Sequence, residues 1–327
     1  VVFLKAQALA ADRKFQEALV IYQAEAGRIF SEKRQDEVAG ELMTFAELFA
    51  KEPGPAELDA PKADYGKALI LFAQVLDTDC SAVVREKVRS RMVELNGLLK
   101  KWAEAEQAAL AYLDEFDPAW RGTFGSVRRL TTAQNGKATF EGGGKRFKVR
   151  FHHAEALHRQ HRRPEAVRYL RELEEMTKDK ADQVALRADT MWLRLMAMTE
   201  NGSVRDVEEW VKVAREYLRL YPKDVWAGQV AYKISSVYRG RESWEQARGA
   251  YQDYLDGKGY QTPAEKPLTL DVKGAGEFEV RRRRHEERRE AASFEIGAIF
   301  LAEKKFNEAE AQWSKTAKNF PNGEIRG

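Results

Sequence analysis

The chain has 327 residues, 43% of them hydrophobic and 33% charged, with 55 Lys and Arg against 52 Asp and Glu and a net charge of +3. That is enough apolar material for a sizeable core, and the near-balance of charge gives no global drive toward nucleic acid or an anionic membrane. A single cysteine, Cys80, excludes an intrachain disulfide and a cysteine-based metal site, and no stretch approaches the ~18 apolar residues of a membrane helix. A lone thiol fits a reducing compartment without ruling out export. The chain opens on Val1-Val2 with no signal-like segment, so the expectation is a piece of a longer protein whose targeting signal, if any, lies elsewhere.

In chain order, "KAQALAADRKFQEALVIYQ" places Ala6 and Leu9 on one helix, then Phe15, Ala18 and Tyr22 on a second. "DYGKALILFAQVLDTD" repeats the second part with Tyr65, Ala68 and Phe72, and "KKWAEAEQAALAYLDEFDP" repeats it with Trp102, Ala105, Ala109 and Tyr112. A stretch rich in Gly and Thr follows at 121–146. It carries Asn135-Gly136 between short β-prone runs and reads as a small β-hairpin or an unstructured loop. The pattern resumes with Ala154, Leu157, Ala166 and Leu170, then Trp210, Ala214 and Tyr217 ahead of Pro222, then Ile234, Tyr238, Trp244, Ala247 and Tyr251.

A second interruption, 257–280, alternates Leu268, Leu270 and Val272, turns at "KGAG" and alternates again at Phe278 and Val280, which again reads as a hairpin or a loop. The last element, "SFEIGAIFLAEKKFNEAEAQWSKTAKNFP", buries Ile296 and Phe300 on a first helix, where Gly297 permits close approach. After a polar turn, Phe306, Ala309 and Trp313 mark the inner face of a second helix that Pro321 stops. A small residue on each helix opposite a bulky one on the other is what two tightly packed antiparallel helices require.

This succession resembles the tetratricopeptide (TPR) repeat family, whose ~34-residue unit is a helix–turn–helix. The resemblance implies an all-α, right-handed α-solenoid of about seven helix pairs, interrupted by the two segments that read as a β-hairpin or a loop. Pairs one to three fall in 1–120, an insertion in 121–146, pairs four to six in 147–256, an insertion in 257–280 and pair seven in 281–327. In that family the first helix of each pair lines a groove that holds peptides or neighbouring domains. The register then puts Lys148, Phe151, Glu155, His158 and Arg159 on the groove in the fourth pair, Tyr232, Ser236 and Arg239 in the sixth, and Phe294, Ala298 and Leu301 in the seventh. The Lys and Asn with which such domains clamp a chaperone's C-terminal carboxylate are missing, since Ser90, Phe151 and Tyr232 stand at those places. The seventh pair's apolar strip is expected to pack against further chain, because an array end needs a polar cap. Roughly the first hundred residues also look like the helical-repeat region of some large bacterial α2-macroglobulin-like proteins. Cys80 in "DTDCSAV" does not match that family's thioester motif, so the segment would be accessory there and exported; otherwise a cytoplasmic location is expected.

Catalytic chemistry finds little footing. His152, His153, His158 and His161 cluster, but Arg150, Arg159, Arg162 and Arg163 surround them with positive charge and Glu155 is the one carboxylate nearby. Lys137 is followed by Ala138 and Lys145 by Arg146, so neither Gly-Lys pair is a phosphate-binding loop with its hydroxyl. Neither a cofactor nor a metal is expected. From Lys145 to Arg171 nine Lys and Arg face two Glu, a stretch suited to an acidic protein surface or, as the lesser reading, to nucleic acid. "RRRRHEERRE" can pair internally, as in Arg282 with Glu286. The expected function is therefore a non-enzymatic scaffold for a protein or peptide ligand or for neighbouring domains of the same chain. The alternatives are the accessory region of a secreted macroglobulin-like inhibitor and a binder of nucleic acid or acidic polymer through 145–171.

Overall fold

A computed structural model describes residues 2–11, 14–26, 32–52, 62–117, 143–200, 203–261 and 272–321. Fourteen α-helices in these residues fall into seven successive pairs. They are α1 (Val2–Ala11) with α2 (Phe15–Ala26), α3 (Glu32–Ala50) with α4 (Tyr65–Leu76), α5 (Ala82–Leu98) with α6 (Trp102–Phe116), and α7 (Gly143–Arg159) with α8 (Arg163–Thr177). Then come α9 (Val184–Ala197) with α10 (Val207–Leu220), α11 (Ala227–Gly240) with α12 (Trp244–Leu255), and α13 (Val272–Ala302) with α14 (Phe306–Asn319). The fold is all-α, a TPR-like array of helix pairs. Contacts divide it into two compact units, Val1–Tyr169 and Leu170–Gly327, the division falling within α8. Each unit has its own apolar core, one around Tyr22, Leu42 and Phe72, the other around Trp210, Tyr217 and Tyr251.

The spacing of small residues explains the pairing. Ala18, Ala68, Ala109, Ala166, Ala214, Ala247 and Ala309, one on each second helix, are all at most 1% exposed. With only a methyl at the crossing, the two backbones come close enough for the aromatic residue one turn on to reach the partner helix. Tyr22, Phe72, Tyr112, Tyr217 and Tyr251 occupy that place and are buried. Trp210 is wholly buried and its indole N–H donates to the Leu195 carbonyl at 3.0 Å, which ties α10 to α9. Helix starts are capped where the sequence offers a carboxylate. Asp64 accepts from Lys67 N and Asp206 from Glu209 N.

One turn geometry recurs without the glycine that usually supplies it. Lys100, His161, Glu242 and Lys304 each stand two residues before a second helix with φ between 57° and 64°. The next residue's N–H then closes back five positions, as in Lys101 N to Asn96 O (2.9 Å) and Lys305 N to Phe300 O (2.9 Å). This is the left-handed helix end, adopted here by residues with side chains at a conformational cost of ~1–2 kcal/mol each. Identical turns give identical entry angles, so the pairs repeat.

The insertions depart from expectation. Residues 118–142, which include Asn135-Gly136, lie outside those described, but α7 begins at Gly143, so the end of the first predicted hairpin is helix. In the second, Leu268 and Leu270 lie outside the described residues, while Val272 through Val280, "KGAG" included, belong to the 31-residue α13. The helix wins because Arg282–Glu286 (2.6 Å) and Arg283–Glu287 (2.8 Å) support it one turn apart, and extending a formed helix costs far less than nucleating an isolated strand pair. Residues 257–261 also serve another purpose. Gly257 and Gly259 take φ values of 71° and 82°, which turns Tyr260 into the core, stacked on Tyr254 at 5.2 Å with its hydroxyl donating to the Tyr254 carbonyl. The hairpin found among the described residues is elsewhere, β1 (Thr199–Glu200) pairing with β2 (Ser203–Val204). Its intervening Asn201-Gly202 was the overlooked signal. Phe306 is a further correction: it is 65% exposed and does not face inward.

Candidate protein-interaction face

Side-chain bonds tie first helices to one another within each unit. Gln7 donates to Glu41 at 3.0 Å, joining α1 to α3. Arg91 joins α5 to α3, with Nε and Nη2 on the Glu47 carboxylate at 3.1–3.2 Å and Nη1 on Glu94 at 2.7 Å. Burial pulls the Arg91 guanidinium down, but hydrogen bonds to Glu94 and Glu47 outweigh it and leave its pKa raised. In the second unit Arg239 pairs with Glu295 at 2.9 Å and Arg288 donates to Gln229, joining α13 to α11.

Between α3 and α5 this arrangement leaves a groove of about 670 Å³. Gly40, Met43, Thr44 and Leu48 line it, with Glu47, Lys51 and Arg91 at its edges. Leu48 is 54% exposed, and a Cβ added at Gly40 would meet nothing within 4 Å. An apolar residue of this size held open beside an ordered Arg–carboxylate pair combines hydrophobic contact with directional polar groups. The sequence signal was present but unused: Gly40, Thr44 and Leu48 recur every four residues on one stripe of α3.

The predicted groove residues are differently occupied. On α7, Lys148 is exposed and Phe151 half-buried beside His152, with ring centroids 5.5 Å apart. Glu155 meets His152 (3.4 Å) and Arg159 (3.6 Å), and the His152 hydrogen bond holds its carboxyl below the usual range despite burial. Arg159 reaches sideways over the Trp102 ring at 5.4 Å. His158 is half-buried, its pKa lowered by burial and by Arg159 and Arg163. In the second unit Tyr232 packs edge-on against Tyr251 and Tyr254, and Ser236 donates to the Tyr232 carbonyl. Phe294 stacks on Trp313 of its own pair at 5.8 Å, Ala298 is partly covered and Leu301 is 45% exposed.

Three of the nine cations in the basic stretch are met by acids from outside it. Arg150 is buried against Asp117, Arg162 meets Glu106 at 2.6 Å, and Arg171 pairs with Glu209. A phosphate backbone would have to compete with these partners, so the nucleic-acid reading gains no support. His153 is 2% exposed and packs edge-on against Tyr169 at 4.9 Å. Among the described residues no group of three His, Cys, Asp or Glu could hold a metal. Burial lowers the His153 pKa from 6.5 to about 4, against the pull of Glu106 and Glu165 and with the help of Arg162.

A testable consequence follows from that shift. The folded state binds the His153 proton less readily than the unfolded chain. The contribution is complete above pH 6.5 and is lost as pH falls toward 4. Urea unfolding at pH 7 and pH 4.5 is expected to show an acid-induced loss about 2 kcal/mol smaller in His153→Phe than in the parent.

No protein-family model and no curated protein matches the sequence. Among solved structures the chain is similar to BtubC from P. vanneervenii, at 12% identity over 89% of this chain and 91% of that one, with a TM-score of 0.44. It is also similar to the quorum sensor NprR from B. thuringiensis, at 12% identity over 98% and 75%, with a TM-score of 0.46. Kinesin-light-chain TPR-like repeats from Podospora anserina align at 13% identity over 74% and 98%, with a TM-score of 0.42. None of these bears on the macroglobulin-like resemblance, and all are coarse likenesses. What this protein holds has to be read from its own residues.

Proposed function

We propose that the protein is a non-enzymatic helical-repeat scaffold that holds a segment of a protein partner against its first helices. The observation that carries this reading is the open groove between α3 and α5, where Leu48 stands 54% exposed beside the Glu47–Arg91–Glu94 cluster. Apolar side chains fixed in the open by a rigid helix give contact area without an ordering cost, and ordered ion pairs at the edge give register. Lys148 and Phe151, on the first helix of the fourth pair, are proposed to extend the same face. Tyr232 and Phe294, in the second unit, are half-buried within their own pairs.

A photo-crosslinking residue at Thr44 in the intact protein, expressed in its own cells, tests this reading. One polypeptide partner should be captured there, its yield should fall at least tenfold with Leu48→Asp, and no capture should occur from the exposed Glu17 on a second helix. Equal capture from both positions, or indifference to Leu48→Asp, would remove the groove as the binding site.

A further inference from the structure

We infer that a groove between the second helices α10 and α12 docks an acidic amphipathic helix of a partner protein. The groove is internal to the second unit. α9 packs on α10 and α13 on α12, so both walls already have the neighbours that the array supplies, and the groove is not open because the sequence ends. Any further repeat would stack on the last pair and leave it uncovered. Two adjoining clefts, of about 460 Å³ and 390 Å³, share Arg215 and Arg219. Together they run along α10 from Val207 to Arg219, a rise of about 18 Å. The floor is apolar, made by Val211 and Leu218 of α10 and by Ala231 and Ile234 of α11, and Ala250 keeps the α12 wall low.

Charge decides what fits. Lys212, Arg215 and Arg219 stand three and four residues apart on one stripe of α10, and all are exposed. Arg219 is engaged by Glu216 at 2.8 Å and, across the groove, Lys258 by Asp253 at 2.8 Å. Among the described residues Lys212 and Arg215 are in no ion pair. Two uncommitted cations therefore stand over an apolar floor. They rise about 3 × 1.5 Å from one to the next, and Arg219 follows about 6 Å on. Carboxylates at positions i, i+3 and i+7 of a helix laid beside α10 keep this spacing, while those on one face of an extended strand recur every ~6.7 Å. A nucleic-acid backbone is a poorer occupant. Glu208, Glu216 and Asp253 also line the groove and would face its phosphates, whereas a helix can set its carboxylates against the cations alone. At the α3–α5 groove, by contrast, Arg91 is already taken by Glu47 and Glu94, so an acidic helix distinguishes the two faces.

The test uses a fluorescein-labelled model helix, stapled, with leucines along one stripe and glutamates at i, i+3 and i+7 beside it. It is titrated into the 327-residue chain and followed by anisotropy. Saturable binding is expected, weakened at least tenfold by Lys212→Glu and by Arg215→Glu and unchanged by Leu48→Asp. The same helix with lysines for the glutamates should fail on the parent chain and bind the double variant Lys212→Glu/Arg215→Glu. Absence of saturable binding overturns the inference, as does binding indifferent to both charge reversals. Binding to this chain that the intact protein lacks would overturn it too, by giving the groove to the protein's own further chain. So would a labelled oligonucleotide bound as tightly with the same dependence on Arg215, which assigns the cations to nucleic acid. Self-association in sedimentation that Arg215→Glu abolishes would also overturn it, by assigning the groove to a second copy.

Discussion

Asp117→Ala is expected to lower the unfolding free energy by about 3–5 kcal/mol. Asp117 closes α6, and its Oδ2 lies 2.5 Å from Arg150 Nη2 and 2.8 Å from Nε, with both side chains only 4% exposed. Removing the carboxylate takes away an acceptor held at 2.5 Å from a guanidinium that is shut away from water, beside the Phe147 ring at 5.8 Å. A ring face offers only partial compensation. The cost therefore joins the lost attraction to the desolvation of a charge whose ion pair is gone. The double variant Asp117→Leu/Arg150→Met should accordingly recover most of the loss, because neither charge is left to desolvate. An exposed pair sets the contrast: Glu286→Ala, with side chains 47% and 58% exposed in the Arg282–Glu286 pair, should change stability by no more than about 0.5 kcal/mol. Urea denaturation at pH 7 reads all four proteins. A loss under 1 kcal/mol in Asp117→Ala would mean that Arg150 finds water or another acceptor when its partner is gone.

What was legible in the sequence is what short-range periodicity encodes. An alanine three or four residues from an aromatic defines one stripe of a helix, and a stripe that must be buried defines a crossing. Hence Ala68 with Phe72, Ala214 with Tyr217 and Ala247 with Tyr251 could be placed before any coordinates, and all six are at most 1% exposed. The candidate site was less legible, for a physical reason. Whether Leu48 is open or covered depends on how far α5 stands from α3, a gap that Arg91 bridges to Glu47 across 44 residues of chain. Periodicity assigns a residue to a stripe, but it does not say which stripe a neighbouring helix will leave uncovered.

The same limit accounts for the misread segments. Tyr260 falls inside the segment read as an insertion, just after Gly257 and Gly259. The two positive φ values at Gly257 and Gly259 instead swing the ring onto Tyr254, beside Gly228, where an added Cβ would meet the ring at 3.4 Å. Phe306 carried the same local signal as Trp102 and Trp244. Its exposure differs only because no further helix lies over it among the described residues. The buried ion pairs Arg150–Asp117 and Arg194–Glu174 were equally invisible, since their partners are 33 and 20 residues apart.

Gly297→Ala is expected to destabilise the second unit by about 1–3 kcal/mol, although glycine-to-alanine exchange within a helix ordinarily gains up to ~1 kcal/mol. A Cβ at Gly297 would lie 2.4 Å from Trp313 Nε1, 2.6 Å from Cδ1 and 2.9 Å from Cε2, distances no side chain tolerates without displacement. The indole cannot retreat freely. Its N–H donates to the Phe294 carbonyl at 3.1 Å and its ring stacks on Phe294 at 5.8 Å. Moving it sacrifices both contacts or pushes α14 away from α13. Gly249→Ala on α12 isolates the effect, because nothing lies within 4 Å of its added Cβ; that variant should be neutral or more stable by up to ~1 kcal/mol. Combining Gly297→Ala with Trp313→Leu should recover part of the loss by emptying the space the methyl needs. If both glycine variants shift the urea midpoint in the same direction, helix propensity outweighs packing at this crossing. The close approach of α13 and α14 would then not depend on the glycine.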